Sequence, residues 1–167
     1  MSRDRRSSNG FNHRKSRSRR GGNPNRISFH FSKKDFKCKS GLSNKLKISA
    51  GLVGCLEYMQ SQLKSKIKIE KGYECLESAE KNKRIKRNYY TQGLAVDISA
   101  ESTPLESLFR IAESILEFTT IAINYDTNCL QLSCVKGKDR EFFFIKNGIE
   151  RVLDSKELDA LNTDMHA

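Results

Sequence analysis

The side chains able to do chemistry in this 167-residue chain are few and poorly grouped. His13, His30 and His166 are its only histidines, and all three fall in or near the ends. No Ser-His or Cys-His pair can therefore be assembled inside a folded domain, which removes the commonest nucleophilic routes. Cys38, Cys55, Cys75, Cys129 and Cys134 make an odd count without close pairing. That pattern is expected of free thiols in a reducing cytoplasm rather than of a disulfide framework. Asp97 and Cys129 make two metal ligands at best, and zinc thiolate sites normally use more sulfur, so neither metal nor cofactor is expected.

What the chain has in quantity is positive charge, and it is unevenly spread. Residues 1–39 hold thirteen bases against two acids, a surplus equal to the whole formal net charge of +11, and the remaining chain carries eighteen of each. Such asymmetry points to a polyanionic partner, nucleic acid before membrane. Within this arm "SRSRRGG" mixes Arg-Ser and Arg-Gly-Gly character, so Arg14, Lys15, Arg17, Arg19, Arg20 and Arg26 are candidate RNA contacts. Arginine supplies phosphate forks and stacks on bases, while Gly and Ser keep the chain pliable. Phe11, Phe29 and Phe31 can stack on unpaired bases. A second basic cluster around Lys83, Arg84, Lys86 and Arg87 is the other candidate contact, offset in part by Glu77 and Glu80. No secretory signal is visible, since the first comparable apolar run begins near Leu42, and no stretch approaches the roughly 18 apolar residues of a membrane span.

The elements that must position these residues follow from composition and periodicity. Residues 1–40 read as a disordered basic arm, too polar over 1–26 to offset the entropy of ordering. "ISFHFSKKDFKC" is expected to be an extended segment docking on the domain. Residues 41–167 read as one domain. Leu42, Leu46, Leu52, Leu56, Met59 and Leu63 recur at helical spacing, which predicts an amphipathic helix over 42–63. "KIKIEKGY" and "GLAVDIS" alternate as strands, the second with Leu94, Val96 and Ile98 on one face and Ala95 and Asp97 on the other. Ser102 or Thr103 before Pro104 marks a helix start, with Leu105 to Leu116 on its apolar face. "TIAINY", "CLQLSC" and "EFFFIKNG" read as three further strands, with hairpin-like turns at 126–128 and 136–139. "DSKELDAL" closes the chain as a helix capped by Asp154. The expected class is α+β, a small antiparallel sheet packed against helices.

The stretch Asn88-Tyr89-Tyr90-Thr91-Gln92-Gly93-Leu94-Ala95-Val96-Asp97 is similar to the Ser-x-His-x-x-Gly-x-Ala-x-Asp motif of the D-alanyl-D-alanine carboxypeptidase family of zinc metallopeptidases. "IKIEKGYEC" is similar to that family's strand ending in Ser-Gly-Tyr-Arg, and "CLQLSC" sits where the family has its second histidine. From Leu42 to Gly148 the chain thus resembles a family that shares the Hedgehog/DD-peptidase fold. The resemblance implies zinc-ligand positions at Tyr90, Asp97 and Gln131, a general-base position at Asn128, and a substrate-carboxylate position at Glu74. Only Asp97 keeps the family's residue type. An amide at 128 cannot take a proton from zinc-bound water, and Glu74 would repel a carboxylate. The catalytic positions are therefore vestigial.

These readings converge on a non-catalytic, peptidase-like cytoplasmic protein whose basic arm binds RNA or a ribonucleoprotein such as the ribosome. One alternative is an active cell-wall D-alanyl-D-alanine carboxypeptidase-like enzyme with unusual zinc ligands, which would need export. The other is a protein-interaction module that uses the former substrate cleft, with the arm adding only electrostatic steering.

Overall fold

The computed structural model describes residues 23–83 and 88–163. In chain order the elements are α1 (Lys33–Phe36), α2 (Ala50–Gln62), β1 (Ile67–Lys71), α3 (Leu76–Lys81), β2 (Ala95–Ala100), α4 (Leu105–Glu113), β3 (Thr120–Asn124), β4 (Cys129–Ser133), β5 (Glu141–Lys146), β6 (Ile149–Val152) and α5 (Ser155–Thr163). The strands form one open sheet in the order β1-β2-β4-β3-β5-β6, and the class is α+β.

The sheet is mixed rather than antiparallel, because β3 and β5 run parallel while every other neighbouring pair is antiparallel. The physical reason lies in β4, which is hydrogen-bonded on both edges, to β2 and to β3. A strand following β4 cannot pair with it, and β5 takes the free edge of the neighbouring strand β3. Residues 136–139 therefore close no hairpin between neighbours. The connection passes the start of β3, where Glu141 donates to Thr119 O at 2.9 Å and Thr119 donates to Ser133 O at 2.8 Å. The turn expected at 126–128 does join paired strands, β3 and β4.

Alternation divides the sheet into two faces. Val96, Leu132, Ile121 and Phe142 align in one cross-strand row, and Ile98, Leu130, Ile123 and Phe144 in another. These rows meet Leu52, Leu56 and Met59 of α2 and Leu108, Phe109 and Ala112 of α4 in one core. The opposite face carries the row Asp97, Gln131, Ala122 and Phe143.

Three boundaries differ from the sequence reading. The segment 27–38, counted within the arm but expected to dock as an extended stretch, does pack on the domain, though it carries helix α1: Phe31 is 2% and Phe36 0% exposed, both in the common core. The helix expected over 42–63 begins only at Ala50, behind Ser49, whose hydroxyl accepts from Leu52 N. The preceding strap is held instead against the turn before β2, where Ser49 N donates to Gly93 O at 2.8 Å. Gly93 has φ +72°, and a Cβ there would lie 2.3 Å from Lys47 O, so only glycine lets the two backbones meet. Helix α4 ends at Glu113, which leaves Leu116 80% exposed beyond it. Elsewhere α3 and β6 occupy segments where no element was expected. Asp154 caps α5 reciprocally with Glu157.

Candidate functional site

The polar face of the sheet gathers most of the positions singled out above. Asp97 on β2 faces Gln131 on β4 across a register pair. On its other side the β1 ladder shifts register between Ile69 and Lys71, so Lys71 opposes Asp97. Without that extra residue Glu70 would stand there, placing two carboxylates side by side; the bulge substitutes an ammonium. Tyr90, in the loop before β2, donates its hydroxyl to Asp97 Oδ1. The Lys71 ammonium lies 3.8 Å from the centroid of the Tyr90 ring and 3.6 Å from Glu74 Oε2. Glu74 is buried, takes Asn88 Nδ2 at 3.3 Å, and donates its backbone N–H to Tyr90 O at 3.3 Å. A cavity of about 240 Å³ lies over this face, lined by Tyr89, Tyr90, Gln131, Phe143, Lys138 and Glu150 among others.

Tyr90, Asp97, Gln131 and Glu74 are thus brought into one neighbourhood. Asn128 is not. It sits in the β3–β4 turn with φ +50° and lines a different cavity, beside β1. The donor set does not fit the family's zinc centre. A phenol and an amide stand where imidazoles would be needed, and the one carboxylate already accepts the phenol's hydrogen bond. Among the described residues no three His, Cys, Asp or Glu side chains converge. The cluster is a network of charge-assisted hydrogen bonds that orders the loop before β2.

His30 lies on the surface, where its ring and backbone nitrogens both meet the Glu57 carboxylate, at 2.6 and 2.7 Å. Arg14, Lys15, Arg17, Arg19, Arg20, Arg84, Lys86 and Arg87 lie outside the described residues. Arg26 is described, and its guanidinium closes a local knot, donating to Ser28 O and Phe29 O and lying 5.0 Å from the centre of the Phe29 ring. Lys83 is exposed, with φ +53° after α3.

A basic groove was missed by the sequence reading. A cavity of about 930 Å³ runs beside edge strand β1, and Lys34, Lys39, Lys66 and Lys68 line it together with Asp35 and Glu101. Asp35 is engaged by the Ser32 N–H and hydroxyl at the start of α1, and Lys68 pairs with Glu70 at 2.9 Å. Lys34, Lys39 and Lys66 make no ion pair among the described residues. Glu70 is held below the ordinary glutamate value by the Ser99 hydroxyl first and by Lys68 second, with the Lys39 charge adding to the effect. The signal was present in "KSKIKIEK", where Lys66 and Lys68 alternate with the core residues Ile67 and Ile69.

Among known proteins, neither a family model nor a curated protein matches this chain. The site must therefore be read from its own geometry. Among the described residues no helix is long and apolar enough to cross a membrane.

Proposed function

We propose that this chain is a non-catalytic protein of D-alanyl-D-alanine carboxypeptidase-like descent that binds RNA, or a ribonucleoprotein such as the ribosome, in the cytoplasm. The observation that carries the nucleic-acid part is the lysine groove. Residues 1–22 hold eight bases and one acid. They join the folded chain at Asn23, in the same segment that supplies Lys34 and Lys39 to the groove. The eight bases thus precede in sequence the segment that lines the groove, and phosphates are what such clustered cations attract. The peptidase-like part is supported by the neighbourhood of Tyr90, Asp97 and Gln131, which the resemblance requires on adjacent elements. The phenol and amide at the former ligand positions support the loss of catalysis.

The test is the salt dependence of RNA binding. With about four to eight phosphates engaged, log K on single-stranded RNA should fall with log salt by about 0.7 per contact. Removing residues 1–22 should lower that slope, and charge reversal at Lys34, Lys39 and Lys66 in the truncated chain should remove most of what remains. Intact protein that ignores RNA at physiological salt would overturn the proposal. So would slopes left unchanged by both alterations.

A further inference from the structure

Cys38, two residues beyond α1, and Cys75, the residue before α3, stand 37 positions apart in sequence, yet their sulfurs are 3.4 Å apart. The Cys75 backbone N–H points at Cys38 Sγ from 3.3 Å. The Ser40 hydroxyl lies 3.2 Å from Cys38 Sγ and 3.5 Å from Cys75 Sγ. Burial alone would raise the Cys38 thiol, but the Cys75 N–H, the Ser40 hydroxyl and backbone, and the neighbouring thiol favour its anion and bring it down to about 7. Cys38 also lines a cavity of about 270 Å³, whose charged and titratable walls are Lys37, Lys39, Lys71, Glu70, Glu74 and Tyr73. Cys75 is 1% exposed and does not line that cavity. The two cysteines are therefore unequal: Cys38, itself buried at 6% exposure, borders that cavity, and Cys75 does not.

The geometry points to a peroxide-reactive thiol pair, in which Cys38 is oxidised first and Cys75 resolves it to a disulfide. The Cys38 thiolate attacks one oxygen of a hydroperoxide. An S–O bond forms, the O–O bond breaks, and the alkoxide or hydroxide takes a proton and leaves as alcohol or water. Cys75 then attacks the sulfenic sulfur. The S–S bond forms, the S–O bond breaks, and the departing hydroxide takes the Cys75 proton as water. Two thiols and one hydroperoxide thus give one disulfide, one alcohol (water, for hydrogen peroxide) and one water. The bond would tie the segment that carries the basic arm to the residue next to Glu74. The inference stands without the nucleic-acid reading, since it uses only these two sulfurs and their surroundings.

The other close sulfurs are a built-in comparison. Cys55 and Cys134 lie 4.0 Å apart. Cys134 is driven well above the ordinary thiol value by its hydrogen bond to Cys55 and by burial, while that bond lowers Cys55. Cys129 is pushed up by burial.

The experiment treats the reduced full-length chain with hydrogen peroxide, blocks remaining thiols with iodoacetamide, and maps cross-linked peptides by mass spectrometry. The expected product is a Cys38–Cys75 link, lighter by two hydrogens. It should form at least about tenfold faster than Cys129 is oxidised, because thiolate is about half of Cys38 at neutral pH against a few per cent for an ordinary thiol. The rate should rise with pH through about 7. In Cys75→Ser the reaction should stop at a sulfenic acid on Cys38, trapped by dimedone, and Cys38→Ser should give no link. The map of the unaltered chain does not depend on either variant folding. A Cys55–Cys134 link forming first, or all five cysteines reacting at similar rates, would overturn the inference.

Discussion

Replacing Phe36 by alanine is the sharpest test of where the folded body begins. Phe36 is fully buried, and its ring centroid lies 5.8 Å from that of Phe31, which is also in the core. Its backbone is fixed as well. Tyr73 N donates to Phe36 O at 2.8 Å, and Gly72 packs so closely that an added Cβ would lie 2.7 Å from Phe36 Cα and O. A cavity costs most where its walls cannot collapse, and this backbone has no room to slide inward. The loss should therefore reach the upper part of the roughly 3–5 kcal/mol range for Phe→Ala, against a total stability of about 5–15 kcal/mol. At about 3 °C per kcal/mol for a chain of this size, the melting midpoint should drop by roughly 10–15 °C. Urea unfolding followed by circular dichroism is the assay, with Phe29→Ala as control. Phe29 is 74% exposed, and its loss should change stability by no more than about 0.5 kcal/mol. A Phe36→Ala cost below about 1 kcal/mol, or a chain lacking residues 1–39 that melts like the intact one, would refute the packing described here.

Gly93→Ala should cost more than about 3 kcal/mol in the same assay, since φ +72° disfavours a side chain and the new Cβ would meet the Lys47 carbonyl. Gly54→Ala in α2, where a Cβ meets nothing within 4 Å, should instead stabilise by about 0.5–1 kcal/mol. Ser99→Ala removes the hydroxyl that donates to Glu70 Oε1 at 2.6 Å and helps hold that carboxyl below its ordinary value. A depressed folded pKa gives stability that is present above the unfolded pKa and lost as pH falls through the folded one. The variant should therefore be weaker than the parent at neutral pH, with the gap narrowing on acidification. A gap that widens in acid would show the sign to be wrong.

Much of the fold was legible because period-2 alternation is local. β2 through β5 could be placed from runs such as "TIAINY" and "EFFFIK", and their faces followed from which residues alternate. Asp154 announced α5 because a cap bonds only three residues ahead. The Asn147-Gly148 pair, both with positive φ, was an equally local signal for the β5–β6 hairpin and went unread. Helical spacing across 42–63 misled, because the apolar residues of the strap obey a helical period while their backbone is held by Gly93, which lies far along the chain. The candidate site divided in the same way. Asp97 and Gln131 could be set on strands, but Asn128, in the β3–β4 turn with φ +50°, lines another cavity together with residues of β1.

By itself the sequence determines the segregation of charge into residues 1–39, the α+β class, the strand faces, and the residue types at Tyr90, Asp97, Asn128 and Gln131. Each of these depends on composition or on neighbours within a few residues. Only the tertiary structure decides that β5 runs parallel to β3, that a bulge puts Lys71 rather than Glu70 beside Asp97, and that Phe31 and Phe36 belong to the core. It alone gathers Lys34, Lys39, Lys66 and Lys68 around one groove and brings two thiols 37 residues apart to 3.4 Å. Those are contacts between distant segments. Which edge is free, and which surface remains to be covered, is settled only when the whole chain competes for the same apolar area and the same backbone hydrogen bonds.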